Sequence, residues 1–111
     1  VELKKLRMSR FLISAILKEK KTTTIRLKTD LQPGELVEIV DDRGSRVCYA
    51  YVEDVVEKRL EDLTDEDAVR DGFSSKEHLL SFLERVYEEK LRSSEKVFVI
   101  RFKIIKGKVK I

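Results

Sequence analysis

Lys21, Thr24 and Arg26 are the residues of this chain whose types and spacing could do chemistry. They stand in Lys21-Thr22-Thr23-Thr24-Ile25-Arg26-Leu27-Lys28, where branching at Cβ in threonine and isoleucine favours extended backbone over helix. Strand alternation puts Ile25 and Leu27 on one face and Thr24 and Arg26 on the other, with Lys21 at the mouth of the strand. A hydroxyl, a guanidinium and an ammonium gathered in this way could hold an anion or a polar base edge. The bland reading of the three is a solvated lysine, a strand-forming threonine, and an arginine paired with a carboxylate such as Asp71.

The elements that must position them follow from periodicity. Val1 to Met8 alternates as a short strand, with Leu6 and Met8 on one side. Ser9 then stands as an N-cap before Phe11, Leu12, Ala15, Ile16 and Leu17, about two turns of helix that end in the charged corner before Lys21. Asp30-Leu31-Gln32-Pro33-Gly34 is a turn, and Glu35 to Val40 a strand. Asp41-Asp42-Arg43-Gly44 closes a hairpin, with Gly44 at positive φ. The long return strand from Arg46 breaks its alternation at Val55-Val56, where a bulge is expected. Thr64 with Asp67 reads as a capping box for a short helix ended by Gly72. Ser74 with Glu77 reads as a second box, before the stripe Leu79, Phe82, Leu83, Val86 and Tyr87. Lys96 to Ile104 is a final strand with Phe98, Ile100, Phe102 and Ile104 on one face and Arg101 and Lys103 on the other. These connections are too short for βαβ crossovers, so the pattern predicts a mixed α+β domain.

A length of 111 residues suits one domain, 1–111, with a basic C-terminal extension at about 106–111. Charged residues make up 41% against a usual ~25%, with ordinary hydrophobic content, so the chain is expected to fold and to carry a heavily charged surface. Residues 1–28 hold nine Lys/Arg and two Glu, and residues 96–111 hold six Lys/Arg and no acid; with a net charge of +3, the middle carries −10. If the ends meet, Lys20, Lys21, Arg26, Lys28, Arg101 and Lys103 form one basic face suited to a polyanion such as RNA. The single Cys48 excludes an internal disulfide and reads as a buried packing residue. No apolar segment is long enough for a membrane span or a signal peptide, so a cytoplasmic protein with no membrane partner is expected. Asp65, Glu66 and Asp67 suit a helix N-terminus better than a metal, because no histidine stands at ligand spacing. His78, the only histidine, falls at a helix start with no nucleophile motif around it, and reads as a surface residue. Tyr49, Tyr51, Phe73 and Tyr87 are the aromatics placed to stack on a base.

Glu19-Lys20-Lys21-Thr22-Thr23-Thr24-Ile25-Arg26 resembles the G-x-K-x-x-T-x-R signature of ASCH domains, a branch of the PUA-like β-barrels. Glu19 stands where the family has Gly. Leu63 to Phe73 is similar to the family's second motif, a short helix ending in an acidic residue. The resemblance implies a small barrel with helices packed around one opening. It also brings Asp71 to the cleft of Lys21, Thr24 and Arg26. The function implied is binding of RNA or a modified nucleoside, with no cofactor. Because the resemblance extends to small amidohydrolases of N4-acetylcytidine, it also implies an enzymatic alternative with Thr24 as nucleophile, Lys21 as base and Asp71 as acid. There the family has Glu, and Asp would set the carboxylate back by one methylene. A protein-interaction module is the further alternative.

Overall fold

The computed structural model describes residues 2–106. Five strands, β1 (Lys4–Arg7), β2 (Thr23–Arg26), β3 (Leu36–Val40), β4 (Arg46–Arg59) and β5 (Lys96–Ile105), form one sheet in the order β1-β3-β4-β5-β2. β1 runs parallel to β3, and the other pairings are antiparallel. With helices α1 (Ile13–Leu17), α2 (Asp65–Arg70) and α3 (Lys76–Tyr87) the domain is α+β, as its sequence predicts. Beyond Lys106 the expected basic extension lies outside the described residues.

The sheet curls because β4 is long and bends. It pairs with β3 through Arg46 to Tyr51 and with β5 through Tyr49 to Arg59, and the β4–β5 register slips between Val52 and Asp54. The bulge therefore sits at Glu53, not at Val55-Val56. The extra residue resets the alternation, so Val55 packs inward against the core and Val56 is exposed without any second break. Leu6, Met8, Val37, Ile39, Val52, Ile100 and Phe102 fill the concave side with Ile16 of α1. On the convex side Ile25 and Val97 pack with Leu63, Ala68, Phe73, Leu79 and Leu83, which belong to α2, α3 and their connections. Each fully buried side chain of this size contributes roughly 1.5–3 kcal/mol.

The two outermost strands, β1 and β2, come together at the mouth of the curl. Across it runs a side chain: Arg26 Nη2 donates to the Arg7 carbonyl at 2.7 Å and approaches Met8 Sδ at 3.5 Å. The arginine thus bridges the gap in a half-barrel with helices at one opening. None of the helices among the described residues is long and apolar enough to cross a membrane.

Local signals mostly match. The Thr64–Asp67 capping box forms in both directions, and Gly44 closes its hairpin at φ 84°. The cap of α3 is Ser75, whose hydroxyl accepts from the His78 amide, and not Ser74, whose hydroxyl instead meets His78 Nδ1. His78 is exposed, edge-on to Phe73. Cys48 is half-buried, not fully buried, and that burial pushes its thiol up, away from the reactive thiolate.

Candidate functional site

Two helix ends deliver the site. At the end of α1 the Lys20 amide reaches back to the Ala15 carbonyl and the Glu19 amide to the Ile16 carbonyl, a pair of bonds that closes a helix with one left-handed residue. That residue is Glu19, at φ 58°. The family signature has Gly there because a side chain in this conformation costs about 1–2 kcal/mol. The end of α2 repeats the motif: Phe73 N–H bonds the Ala68 carbonyl, Gly72 N–H bonds the Val69 carbonyl, and Gly72 sits at φ 95°. A Cβ on Gly72 would come within 3.1 Å of Leu12 Cδ2 and 3.5 Å of Lys21 Cδ, so this turn also has to be free of a side chain.

The first turn sends Lys21 inward. Its side chain is buried, and its ammonium donates to the carbonyls of Thr23 (2.7 Å) and Asp71 (2.7 Å) and to Asp71 Oδ1 (2.8 Å). All three donors of the ammonium are thereby used. It also caps the carbonyl end of α2, where positive charge is favoured. Asp71, 3% exposed, reaches Lys21 directly. The shorter carboxylate therefore still meets its partner, beside the Asp71 carbonyl that Lys21 also holds. Nor does Asp71 pair with Arg26, since no hydrogen bond or ion pair between them occurs among the described residues.

Burial raises the Asp71 carboxyl to about 6, against the opposing pull of Lys21 and Arg26. Burial likewise lowers the Lys21 ammonium, which Asp71 partly restores. Because the folded Asp71 value lies above 3.8, its contribution to stability is fully present below that pH and is lost as pH rises through about 6. A carbon-detected titration is expected to place the Asp71 midpoint near 6. The stability of wild type relative to Asp71→Asn should fall by on the order of 2–3 kcal/mol across the same window. A midpoint below 4.5 would mean that the carboxyl is hydrated.

Arg26 and Thr24 share the inner face, as alternation predicts, and Arg26 Nε donates to Thr24 Oγ1 at 2.9 Å. Burial lowers the Arg26 guanidinium, but arginine stays charged at any accessible pH. Its remaining nitrogen, Nη1, makes no hydrogen bond among the described residues and is not sealed from solvent; the residue lines the cleft, a cavity of about 210 Å³. Lys21, Thr24, Arg26 and Asp71 all line this cavity, as do Phe82, Val86 and Tyr87 of α3. The Tyr87 oxygen accepts from the Leu27 amide at 3.3 Å, and its own proton has no acceptor among the described residues. Since Lys21 and Asp71 cancel, the cleft carries the positive charge of Arg26.

The expected basic residues do not all share one face: Lys21, Arg101 and Lys103 line a depression with Glu53, and Arg26 lies apart from it. The chain ends do meet, because β2 pairs with β5, but Thr24 lies opposite Ile100 and Thr23 opposite Arg101. That register puts Arg101 and Lys103 on the outer surface of the sheet, away from Thr24 and Arg26, and Arg101 lies 3.7 Å from Glu53. Lys21 is buried, and Lys20 is exposed on the turn before the strand. Lys28 lies just beyond β2 and does not line the cleft. Of the aromatics singled out for stacking, Tyr87 reaches the cleft, Phe73 is core, and Tyr49 and Tyr51 lie on β4 away from it. Of the α3 stripe, Phe82 packs against the core of Leu79 and Leu83 and also lines the cleft, and Val86 lines the cleft with its side chain exposed. The Arg7 carbonyl and Met8, which hold Arg26, had no signal beyond strand alternation.

The ASCH domain family model matches residues 3–106. Among solved structures, the chain is similar to an ASCH domain from Lactobacillus crispatus (17% identity, 85% of this chain and 70% of that one, TM-score 0.69). It is also similar to an Enterococcus faecalis protein (14% identity, 86% and 67%, TM-score 0.70) and to the ASCH protein of Zymomonas mobilis (22% identity, 89% and 65%, TM-score 0.58). These likenesses concern the fold. No curated protein matches the sequence.

Proposed function

The chain belongs to the ASCH domain family, and on that premise we propose that its cleft binds RNA or a modified nucleoside. The observation that carries this reading is Arg26, a largely buried guanidinium with no carboxylate partner among the described residues, fixed by Thr24 and the Arg7 carbonyl in the lining of the cavity, with Nη1 unbonded. Burying an unpaired cation is costly unless a ligand supplies the missing acceptor. A planar base with a carbonyl edge, or a phosphate oxygen, is such an acceptor. Tyr87 and Phe82 offer it apolar walls and a phenolic proton. The cavity lies below the ~300–1,000 Å³ of drug-sized sites, which suits one base at a time.

Binding of single-stranded RNA is expected to weaken steeply with salt, with a log-log slope of about −0.7 for each phosphate contact. Titrations across ionic strength measure it. Salt-independent binding, or none at low ionic strength, would contradict it.

The buried pair beside Thr24 favours a second reading, hydrolysis of an acylated cytosine nucleoside. In it the proton passes from Lys21 Nζ to Asp71 Oδ1 across 2.8 Å, the neutral amine takes the Thr24 proton as Oγ1 attacks the acyl carbon, and the C–N4 bond then breaks as the cytosine amino group leaves with that proton from Lys21, giving a Thr24 ester. Water later releases the acid. This route requires Lys21 to turn from its three acceptors, since it makes no hydrogen bond to Thr24 among the described residues. Acetate release from N4-acetylcytidine by wild type, abolished in Thr24→Val, would establish it. Absence of release would leave the binding module. Because Asp71 already touches Lys21, Asp71→Glu overfills the site and would not raise turnover.

A further inference from the structure

Beside the cleft, and sharing Ser9, Asp42, Phe82 and Val86 with it, lies a shallow groove of about 620 Å³. One wall is Phe11, 64% exposed, which meets Phe82 edge-on at 5.6 Å and Phe73 at 6.4 Å. The other is Val86, 52% exposed. Phe11 is the most exposed large apolar side chain among the described residues, and with Val86 it leaves apolar surface open on both sides of one depression. Arg10 and Arg85 flank the groove. Arg10 has a loose contact with Asp42 at 3.4 Å, and Arg85 forms no ion pair among the described residues.

We propose that this groove is a second-nucleotide subsite, in which the base next to the one in the cleft stacks on Phe11 while Arg10 and Arg85 take the linking phosphate. The inference rests on the cleft reading above and extends it: the ligand class becomes a single-stranded polynucleotide, not a free nucleoside. Three features meet here. Stacking needs an exposed ring face, and Phe11 is held in position by Phe82 and Phe73 without being covered by them. A phosphodiester needs cations at the edge of the apolar surface, and two arginines stand there. The next base must lie within one nucleotide of the first, and the groove opens directly from the cleft. Asp42 is the one opposing charge, and its contact with Arg10 is long enough to yield to a phosphate.

The test compares uridine 5′-monophosphate with a uridine hexanucleotide on wild type, Phe11→Ser and Phe11→Trp, at one fixed salt concentration. Phe11→Ser is expected to weaken the hexanucleotide ~5- to 150-fold, the worth of one stacked base at ~1–3 kcal/mol, and to leave the monophosphate unchanged. Phe11→Trp should match or exceed wild type. Because the substitutions are neutral and Phe11 is exposed, neither the salt slope nor the melting temperature should move appreciably.

Monophosphate binding with a hexanucleotide affinity indifferent to residue 11 would overturn the subsite while leaving the cleft. Binding of neither probe would overturn both. Wild-type self-association abolished by Phe11→Ser would assign the groove to a second copy of the chain instead.

Discussion

Replacing Lys21 by methionine is expected to lower the stability of the domain by roughly 3–5 kcal/mol at neutral pH, a larger effect than most single substitutions produce. The chain loses an ammonium that satisfies two carbonyls and a carboxylate in the interior, and methionine fills its volume without replacing any of those donors. Asp71 is then left almost wholly buried with no counter-charge. For a domain of this size the melting temperature should fall by on the order of 15–30 °C. The penalty should shrink at about pH 4.5, where the orphaned carboxyl takes up a proton, and be largest above neutrality. Urea unfolding of wild type and Lys21→Met at both pH values measures this. A loss below about 1 kcal/mol, with no pH dependence, would mean that Lys21 reaches water and the buried pair does not exist. A buried pair of this kind seldom stabilises a fold more than well-packed apolar residues would. Its presence at the foot of a cleft, with one member titrating near 6, therefore supports a functional site.

Arg26→Gln is expected to weaken binding of single-stranded RNA by about 10- to 100-fold, the worth of a charge-assisted hydrogen bond at ~1.5–3 kcal/mol. It also removes the donor that bridges β2 to the Arg7 carbonyl, so a stability loss of about 1–2 kcal/mol should accompany it. Arg26→Lys keeps the charge but lacks the fork that contacts Thr24 and Arg7 together. It should retain the salt slope and recover only part of the affinity. Arg101→Gln is the control from the outer surface, where an exposed charge near Glu53 should change affinity by less than about threefold. Equal losses at Arg26 and Arg101 would point to diffuse attraction between charges and away from the cleft.

How far the sequence reaches is visible at these same residues. The shared face of Thr24 and Arg26 was legible, because a strand repeats every two residues whatever surrounds it. The separation of Arg101 and Lys103 from Phe98 and Ile100 was legible for the same reason. The register of β2 on β5 was not, and that register decides that Arg26 and Arg101 lie on opposite faces of the sheet. Sequence periodicity gives each strand its own two faces but not which face of one continues which face of the other.

Burial of Lys21 was hidden because a lysine after a charged corner looks solvated in any window of the chain. What turns it inward is the left-handed Glu19, visible only as a departure from the family's Gly. The Lys21–Asp71 contact spans 50 positions, and periodicity could not supply it. The family resemblance could, through the second motif. It could not foresee that Asp71 reaches its partner in spite of the shorter side chain, since that depends on how closely the end of α2 packs against Lys21 over Gly72. The bulge at Glu53 was misplaced by two residues for a related reason: consecutive valines look like a break, yet one extra residue upstream sends them to opposite faces.

The most direct test of the account is a titration of the isotope-labelled wild-type protein with a short uridine oligonucleotide, followed at individual backbone and arginine side-chain resonances. The largest shifts are expected on Thr24, the Arg26 Nε–H group and Leu27, whose amide touches Tyr87, with Arg101 and Lys103 nearly unmoved. Shifts concentrated on the outer surface around Arg101 and Lys103, with the Arg26 side chain silent, would contradict it.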